Sequence, residues 1–393
     1  MSLLTMGPGP APVDVGTPTT CSGLQNALAR RQIARATTKS SGVVMRKTAK
    51  PVIIPVLSGL RNLACLAGWI WVLMFGFHAA SSAQLLRPVD IIVPFGTGGG
   101  ADELARFCAP LLEQENRAPV TVTNVPGSTG NVGMARLLSA PSDGTTLAVL
   151  TGDTYASLAY YNAPWNTKDV TPLAILTRQS SALFVAASSP FQSWQDFEAK
   201  ARKSPRALRV AISGYGSPDY ISLEQLSIKG IHLTPLPLDN PEERYQALLD
   251  GAADALYEQP GDVRSFTEAA KMRPLLMFGA SREPEFKDVP ASAEVGMGSG
   301  LPQFRAVVVK AGTDPQIVKA LAEAFARIAA MPEFKNFLAR QYAAPSSFVA
   351  AESALAFMQS QIDVMKKVVA GMPLHAQFPI SDSHQDEPAP PSF

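Results

Sequence analysis

Three cysteines and four histidines in 393 residues leave little material for metal or disulfide chemistry. Cys21 and Cys65 precede the part expected to fold. Cys108 therefore stands alone, an intramolecular disulfide is excluded, and a cysteine-based metal site has no second ligand. Of the histidines, His78 ends an apolar leader and His375 and His384 belong to the C-terminal tail, so only His232 is well inside the folded part. A hydrolase needs a nucleophile with a base in reach, and no nucleophile motif lies near His232. No triad, metal cluster or paired-carboxylate motif stands out elsewhere. The net charge is only +1, which gives no sign of a nucleic-acid partner. That total hides an asymmetry. Residues 1–50 carry seven Lys/Arg against one acid, whereas from Gln84 onward there are 26 Lys/Arg against 32 Asp/Glu, a net of −6. An acidic protein does not attract anions through its overall field, so any anion site must be local.

One long hydrophobic run is present. Leu63–Phe77 is uncharged and apolar over about 15 residues, with Arg61, Lys50 and Lys47 before it and Ala79, Ala80, Ser81, Ser82 and Ala83 after it. Basic, then apolar, then small residues is the pattern of a secretory signal, with cleavage expected after Ala83. The run is short for a membrane span, which needs roughly 20 apolar residues; an uncleaved anchor is the alternative. Residues 1–44 suit no core, and Met45-Arg46-Lys47 reads as the natural start, so 45–83 is the expected signal peptide.

The exported part begins with strand–helix units. Val89–Pro94 reads as a strand, Asp102–Glu115 as a helix, Val120–Thr123 as a strand, Val132–Leu138 as a helix and Leu147–Leu150 as a strand. Alternation of this kind predicts an α/β fold with a parallel sheet flanked by helices. A second block starts near Pro190. It has a helix at Trp194–Lys203, a strand at Arg209–Ser213, a helix at Glu243–Leu249 and strands at Ala253–Tyr257 and Leu275–Phe278. Arg305–Val309 reads as a strand, Asp314-Pro315 as the start of a helix to Ala330, and Glu333–Arg340 and Ala351–Val369 as closing helices. The expected division is domain 1 at 84–185 plus 303–373, domain 2 at 186–302, and a disordered Pro-, Ser- and acid-rich tail at 374–393.

Two Gly-rich turns, Gly96-Thr97-Gly98-Gly99-Gly100 and Pro126–Gly133, each join a strand end to a helix start. Glycine lets a ligand approach the main chain, and the following helix presents free N–H groups and a positive dipole end. Such an edge of an open α/β sheet is where ligands bind. Two of these turns side by side make a carboxylate cradle that needs no Lys or Arg.

The residues of these turns resemble a known family. Val93-Pro94-Phe95-x-x-Gly98-Gly99-Gly100-x-Asp102 and Asn124-x-Pro126-Gly127-x-x-Gly130-Asn131-Val132-Gly133 look like the two ligand loops of the tripartite tricarboxylate transporter receptors, the Bug proteins. Pro141-x-Asp143-Gly144, Asp288-Val289-Pro290 and Glu294-x-Gly296 match further segments, and the resemblance runs from about Pro88 to Val369. It implies a two-domain periplasmic-binding-protein fold of type II-like form, with two parallel-rich sheets flanked by helices, joined by two crossings and closing by hinge motion on a ligand in the cleft. It also implies a monomeric, cofactor-free binding protein of the periplasm. Such a receptor captures a small carboxylate and passes it to the permease subunits of a tripartite transporter; a sensor that presents its ligand to a membrane signalling protein is the alternative. The ligand-binding residues expected on this basis are Phe95, Gly96, Thr97, Gly98, Gly99, Asp102, Gly127, Ser128, Thr129, Gly130, Asn131, Thr151, Ser213, Gly214, Tyr215, Gly216, Ser217 and Glu258.

Departures from the family pattern shape the expected ligand. Gly96-Thr97 replaces two prolines, and Ser128-Thr129 stands where small residues are usual. Asp219, Asp239 and Glu258 would make the second-domain side of the cleft acidic. The ligand would then carry a carboxylate at one end and an amino or other donor-rich group at the other, or stack an aromatic ring on Tyr215 or Tyr220. Several residues keep two readings. Asp102 and Asn131 are either helix caps or ligand contacts, and Glu258 is either a solvated or salt-bridged acid or a ligand contact. Gly96-x-Gly98-x-x-Ala101 also fits a dinucleotide-binding turn, but that pattern expects an acid at the end of the next strand, where Asn124 stands.

Overall fold

The computed structural model describes residues 87–160, 163–301 and 303–372. The expected start at Met45, the signal at 45–83 and the tail at 374–393 lie outside the described residues. A six-stranded sheet has the order β11-β4-β10-β3-β1-β2, and a five-stranded sheet the order β7-β6-β8-β5-β9. The first is built from β1 (Val89–Val93), β2 (Val120–Asn124), β3 (Thr146–Thr151), β4 (Val170–Gln179), β10 (Gln303–Lys310) and the two-residue β11 (Val349–Ala350). The second is built from β5 (Ser181–Ala186), β6 (Arg209–Ile212), β7 (Thr234–Pro237), β8 (Ala255–Glu258) and β9 (Met272–Phe278).

Parallel pairing is confined to the strand–helix units, β1 with β2 and β3 and β6 with β7 and β8. The remaining pairs are antiparallel for a topological reason. β4 leaves the first sheet for the second lobe and β10 returns from it, so these neighbours run in opposite directions; β5 and β9 repeat the relation in the second sheet. The chain changes sheets at Ser180. All of β5 pairs in the second sheet, so the crossing comes before the expected boundary at 185/186.

Helices cover both faces of each sheet. In the first lobe, α1 (Gly100–Asn116) and α8 (Pro315–Ala330) with α9 (Pro332–Arg340) cover one face, where Leu104, Cys108 and Leu112 pack with Leu321, Phe325 and Phe334. Residues four apart share a helix face, which is why α1 shows this stripe. On the opposite face, α2 (Asn131–Ser139) and α3 (Gly152–Tyr160) contribute Met134, Leu137 and Tyr155. In the second lobe, α4 (Trp194–Lys203) and α5 (Pro218–Ile228) cover one face, and α6 (Pro241–Leu249) the other, followed by the short α7 (Arg264–Glu268). Caps set several starts. Ser193 and Asp196 form a capping box on α4; Ser217, Asn240 and Asp314 cap α5, α6 and α8, each with proline as the first helical residue.

The last helix, α10 (Ala351–Ala370), belongs to both lobes. Ala354, Met358 and Ile362 pack in the first-lobe core, whereas Met365 and Val369 pack with Leu183, Tyr220 and Leu226 of the second. Twenty residues of helix span about 30 Å, long enough to strap the two lobes together. α3 does the same over a shorter length, with Tyr155 in one core and Tyr160 in the other. Met365→Ala should cost about 2–5 kcal/mol, as truncations of buried methionine do, in urea unfolding followed by circular dichroism. A loss below about 1 kcal/mol would mean that the end of α10 does not brace the second lobe.

Candidate functional site

The Gly-rich turn after β1 is held from below. Asp102, the third residue of α1, reaches back to accept the Gly98 N–H (3.1 Å), and also accepts from Arg106 Nε (2.9 Å) and Asn124 Nδ2 (2.9 Å). Asn124 donates in addition to the Phe95 carbonyl (3.1 Å) and accepts from Arg106. The N-cap residue is Gly99, so Asp102 is not the N-cap; both its oxygens brace the turn. These hydrogen bonds, with Arg106 first among them, outweigh burial and hold its carboxyl below the usual range. The first intrahelical bond is Glu103 N–H to the Gly99 carbonyl (3.0 Å), so the amides of Gly100, Ala101 and Asp102 precede the ladder and point out of the helix end.

The second turn spends three of its amides internally. Gly130 and Val132 N–H groups donate to the Gly127 carbonyl and Asn131 N–H to the Ser128 carbonyl. Ser128 and Thr129 both lie in the left-handed region, at φ 51° and 52°, which for a β-branched threonine is a strained conformation. Asn131 fixes it. Its amide donates to the Ser128 carbonyl (2.8 Å) while its oxygen accepts from Trp165 Nε1 (2.8 Å). Asn131 thus braces the turn instead of capping its helix with its side chain. Thr129 donates across the cleft to the Tyr215 carbonyl (3.3 Å), tying the turn to the second lobe.

Between the lobes lies a cavity of about 30 Å³, lined among others by Phe95, Gly96, Gly99, Gly100, Ala101, Asp102, Thr151, Asp153, Ser213, Arg244, Glu258, Asp262 and Arg305. Seven residues expected from the sequence meet there: Phe95, Gly96, Gly99, Asp102, Thr151, Ser213 and Glu258. Thr97 and Gly98 are exposed at the turn's outer side, and none of Gly127, Ser128, Thr129, Gly130, Asn131, Gly214, Tyr215, Gly216 or Ser217 is among the lining residues. Ser217 is the buried cap of α5. Asp239 is exposed and outside the lining. Tyr220 is a core residue, edge-on to both Tyr160 (5.6 Å) and Tyr215 (5.2 Å), so no ligand ring can stack on it without displacing core.

The cleft carries charges that sequence reasoning missed. Glu258 pairs with Arg244 (3.0 Å), and Arg305 of β10 pairs with Asp262 of the second lobe, both buried on both sides. Glu258 is therefore a salt-bridge residue. Burial raises the Asp262 carboxyl to about 7 even though the Arg305 guanidinium pulls it down. Asp153 opens a third strand-to-helix turn, Thr151-Gly152-Asp153, whose kinship with the first two was the available signal. The arginines gave no local signal, because strand and helix interiors place them. His232 bonds to Ser227 (2.8 Å) away from the lining residues. Among the described residues no cluster of three or more His, Cys, Asp or Glu could hold a metal ion.

Two consequences are measurable. Gly99 has extended angles (φ −96°, ψ 169°) that alanine adopts freely, but a Cβ there would lie 2.6 Å from the Pro241 ring of the second lobe. Gly99→Ala should act as a wedge, raising the radius of gyration in X-ray scattering with under about 1 kcal/mol lost in unfolding; unchanged scattering would mean that the turn does not meet Pro241. Arg305→Met leaves Asp262 buried and unpaired and should cost about 3–5 kcal/mol near pH 8. Asp262 has a raised carboxyl, so its contribution to wild-type stability is full below about pH 4 and is lost as pH rises through about 7. Asp262→Asn should flatten that decline in unfolding measured between pH 4 and 8.

Residues 104–374 match the family described as "Tripartite tricarboxylate transporter family receptor". A relative from Cupriavidus necator, the UPF0065 protein in gbd 5'region, is 29% identical over 262 residues, 65% of this chain and 78% of the relative. Among solved structures, MatC from Rhodopseudomonas palustris with bound malate is 25% identical with a TM-score of 0.67, covering 72% of this chain and 98% of its own. A second R. palustris protein, with adipate, is 26% identical with a TM-score of 0.68, covering 72% and 96%. The mixed α/β architecture of two sheets is that of these two-domain binding proteins, and the match extends over more than half of the chain. This protein belongs to the tripartite tricarboxylate transporter receptor family.

Proposed function

We propose that this protein is a periplasmic receptor that captures a small carboxylate-bearing solute between its lobes and delivers it to the permease subunits of a tripartite transporter. The observation that carries the reading is the N-terminus of the 17-residue α1, which faces the cavity between the lobes. Its free amides and dipole supply a local anion site without a spare basic side chain, since Arg244 and Arg305 are both paired. The malate and adipate in the related structures are acids of this class. Phe95, Gly96, Gly99, Gly100, Thr151 and Ser213 would contact the solute; Asp102 and Asn131 would shape the turns. The protein would work by binding alone, as a monomer, after export and cleavage behind Ala83.

The cavity is about a tenth of what a small ligand occupies, since such sites run roughly 300–1,000 Å³. Solute entry therefore requires the lobes to part, with β4–β5 and β9–β10 as the two crossings and α10 as the strap. A thermal-shift series with malate, succinate, adipate and their monocarboxylate analogues is the test. A bound acid at roughly 100 times its Kd adds about 2.7 kcal/mol, a Tm rise of roughly 5–10 °C. No shift with any small carboxylate would overturn the reading. Mass spectrometry of the exported protein should find Gln84 as its first residue.

A further inference from the structure

Asp153 and Asp219 approach each other from opposite lobes, each within reach of the Ser213 hydroxyl and neither, among the described residues, in an ion pair with a basic side chain. Asp153 is the second residue of α3 and Asp219 the second residue of α5. The Ser213 hydroxyl lies between, 2.7 Å from Asp219 Oδ2 and 3.4 Å from Asp153 Oδ1. A hydroxyl has one proton to donate, and the shorter contact takes it. The Ser213 N–H also serves Asp219 Oδ2 (2.8 Å). Asp219 Oδ1 is buried without any hydrogen-bond partner. Asp153 has one further donor, Gln303 Nε2 at 3.3 Å, and opens on the cavity.

The surrounding charges do not supply the missing partner. Arg244 on α6 is committed to Glu258 on β8, and Arg305 on β10 to Asp262. Asp102 on α1 has Arg106. Tyr257 on β8, beside Asp219, shares its hydroxyl with Ser222 (3.2 Å). Three carboxylates thus have their own guanidinium, and Asp153 and Asp219 have none. Closing the lobes on two bare carboxylates is unfavourable unless a proton or a cation joins them.

We propose that the space between Asp153 and Asp219 is a subsite for a cationic amine, so that the captured solute is an amino-bearing carboxylate. The inference rests on the carboxylate reading above: the solute's carboxylate lies at the N-terminus of α1 and its ammonium reaches the two aspartates. An ammonium has three donors. The Asp153 and Asp219 carboxylates and the Ser213 oxygen between them supply the acceptors. A diacid of equal length would set a third carboxylate against the pair. Burial first, then the charge of Asp153, raises the Asp219 carboxyl well above its ordinary range; burial first, then Glu258, raises Asp153. Both shifts favour the protonated carboxyls in the closed cleft, and an ammonium favours the ionised ones, so amine binding should release protons and strengthen as pH rises.

Isothermal titration of 4-aminobutyrate against succinate, and of 5-aminovalerate against glutarate, in phosphate and in Tris at one pH, tests this. The amino acids should bind at least tenfold more tightly than the matched diacids, with proton release revealed by the difference between buffers. Asp219→Asn keeps an oxygen for Ser213 and should cut the preference for amine over diacid at least tenfold. Asp153→Asn, at the cavity edge, should do the same if the first variant folds poorly. Tighter diacid binding, or an unchanged preference in both variants, overturns the amine subsite and leaves the carboxylate reading intact. Absence of binding by all four acids overturns both.

Discussion

The buried Arg305–Asp262 pair joins the two lobes across the cleft, and the rest of the site is arranged around it. Arg305 stands on the strand that brings the chain back to the first sheet; Asp262 follows β8 of the second. Taking two charges out of water costs several kcal/mol each, and their attraction repays that only with good geometry and full hydrogen bonding. Arg305 is well served, by Asp262 and by the Gln259 oxygen (3.2 Å), but Asp262 Oδ1 has no donor. An imperfectly satisfied pair of this kind is strong enough to register the lobes and weak enough to be exchanged. That suits a cleft whose opening must be reversible.

Around this pair the lobes meet through backbone. Gly96 and Gly99 lie against Asn240 and Pro241, and the Gly100 main chain against the Arg305 and Asp262 side chains. A side chain at Gly96 or Gly99 would meet the second lobe and hold the lobes apart, so these glycines serve closure as much as ligand approach. The same close fit explains why the cavity is so small. In this conformation the turn's amides face the second lobe directly, and a solute takes its place between them only when the lobes are spread.

Much of the fold was legible in the sequence because it rests on local signals. Periodicity located β1, α1, β2, α2 and β3, and Asp314-Pro315 marked the start of α8, since capping chemistry acts within one helical turn. Among the elements that were not read are α3, β4, β5 and α5. β4 is buried along nearly its whole length, as is β5, so neither shows a period of two, and α5 opens with Ser217-Pro218-Asp219, which resembles a turn until the cap geometry is seen. The site was half legible for the same reason. Glycine turns announce themselves, whereas Arg244, Asp262 and Arg305 matter only because the crossing strands bring distant segments together. The acidic character of the second-lobe side was visible in Asp219 and Glu258; that Glu258 already has a guanidinium, and Asp219 does not, was a property of packing.

The second Gly-rich turn shows why similar sequence does not mean similar role. Both turns join a parallel strand to a helix, and both have the composition of an anion cradle. In the first, Asp102 in the first turn of α1 reaches back to satisfy Gly98 and leaves the leading amides of α1 free. In the second, the run Ser128-Thr129-Gly130 is left-handed, and the Gly130, Asn131 and Val132 amides fold back on the Gly127 and Ser128 carbonyls. Holding two non-glycine residues there costs of order 1–3 kcal/mol each. The expense is met by Asn131, anchored to Trp165, and by Thr129, whose hydroxyl reaches Tyr215 in the other lobe. An alanine in place of Thr129 would keep the strain and lose the bridge. The threonine that departs from the family pattern therefore ties the turn to the second lobe and is not among the residues that line the cavity.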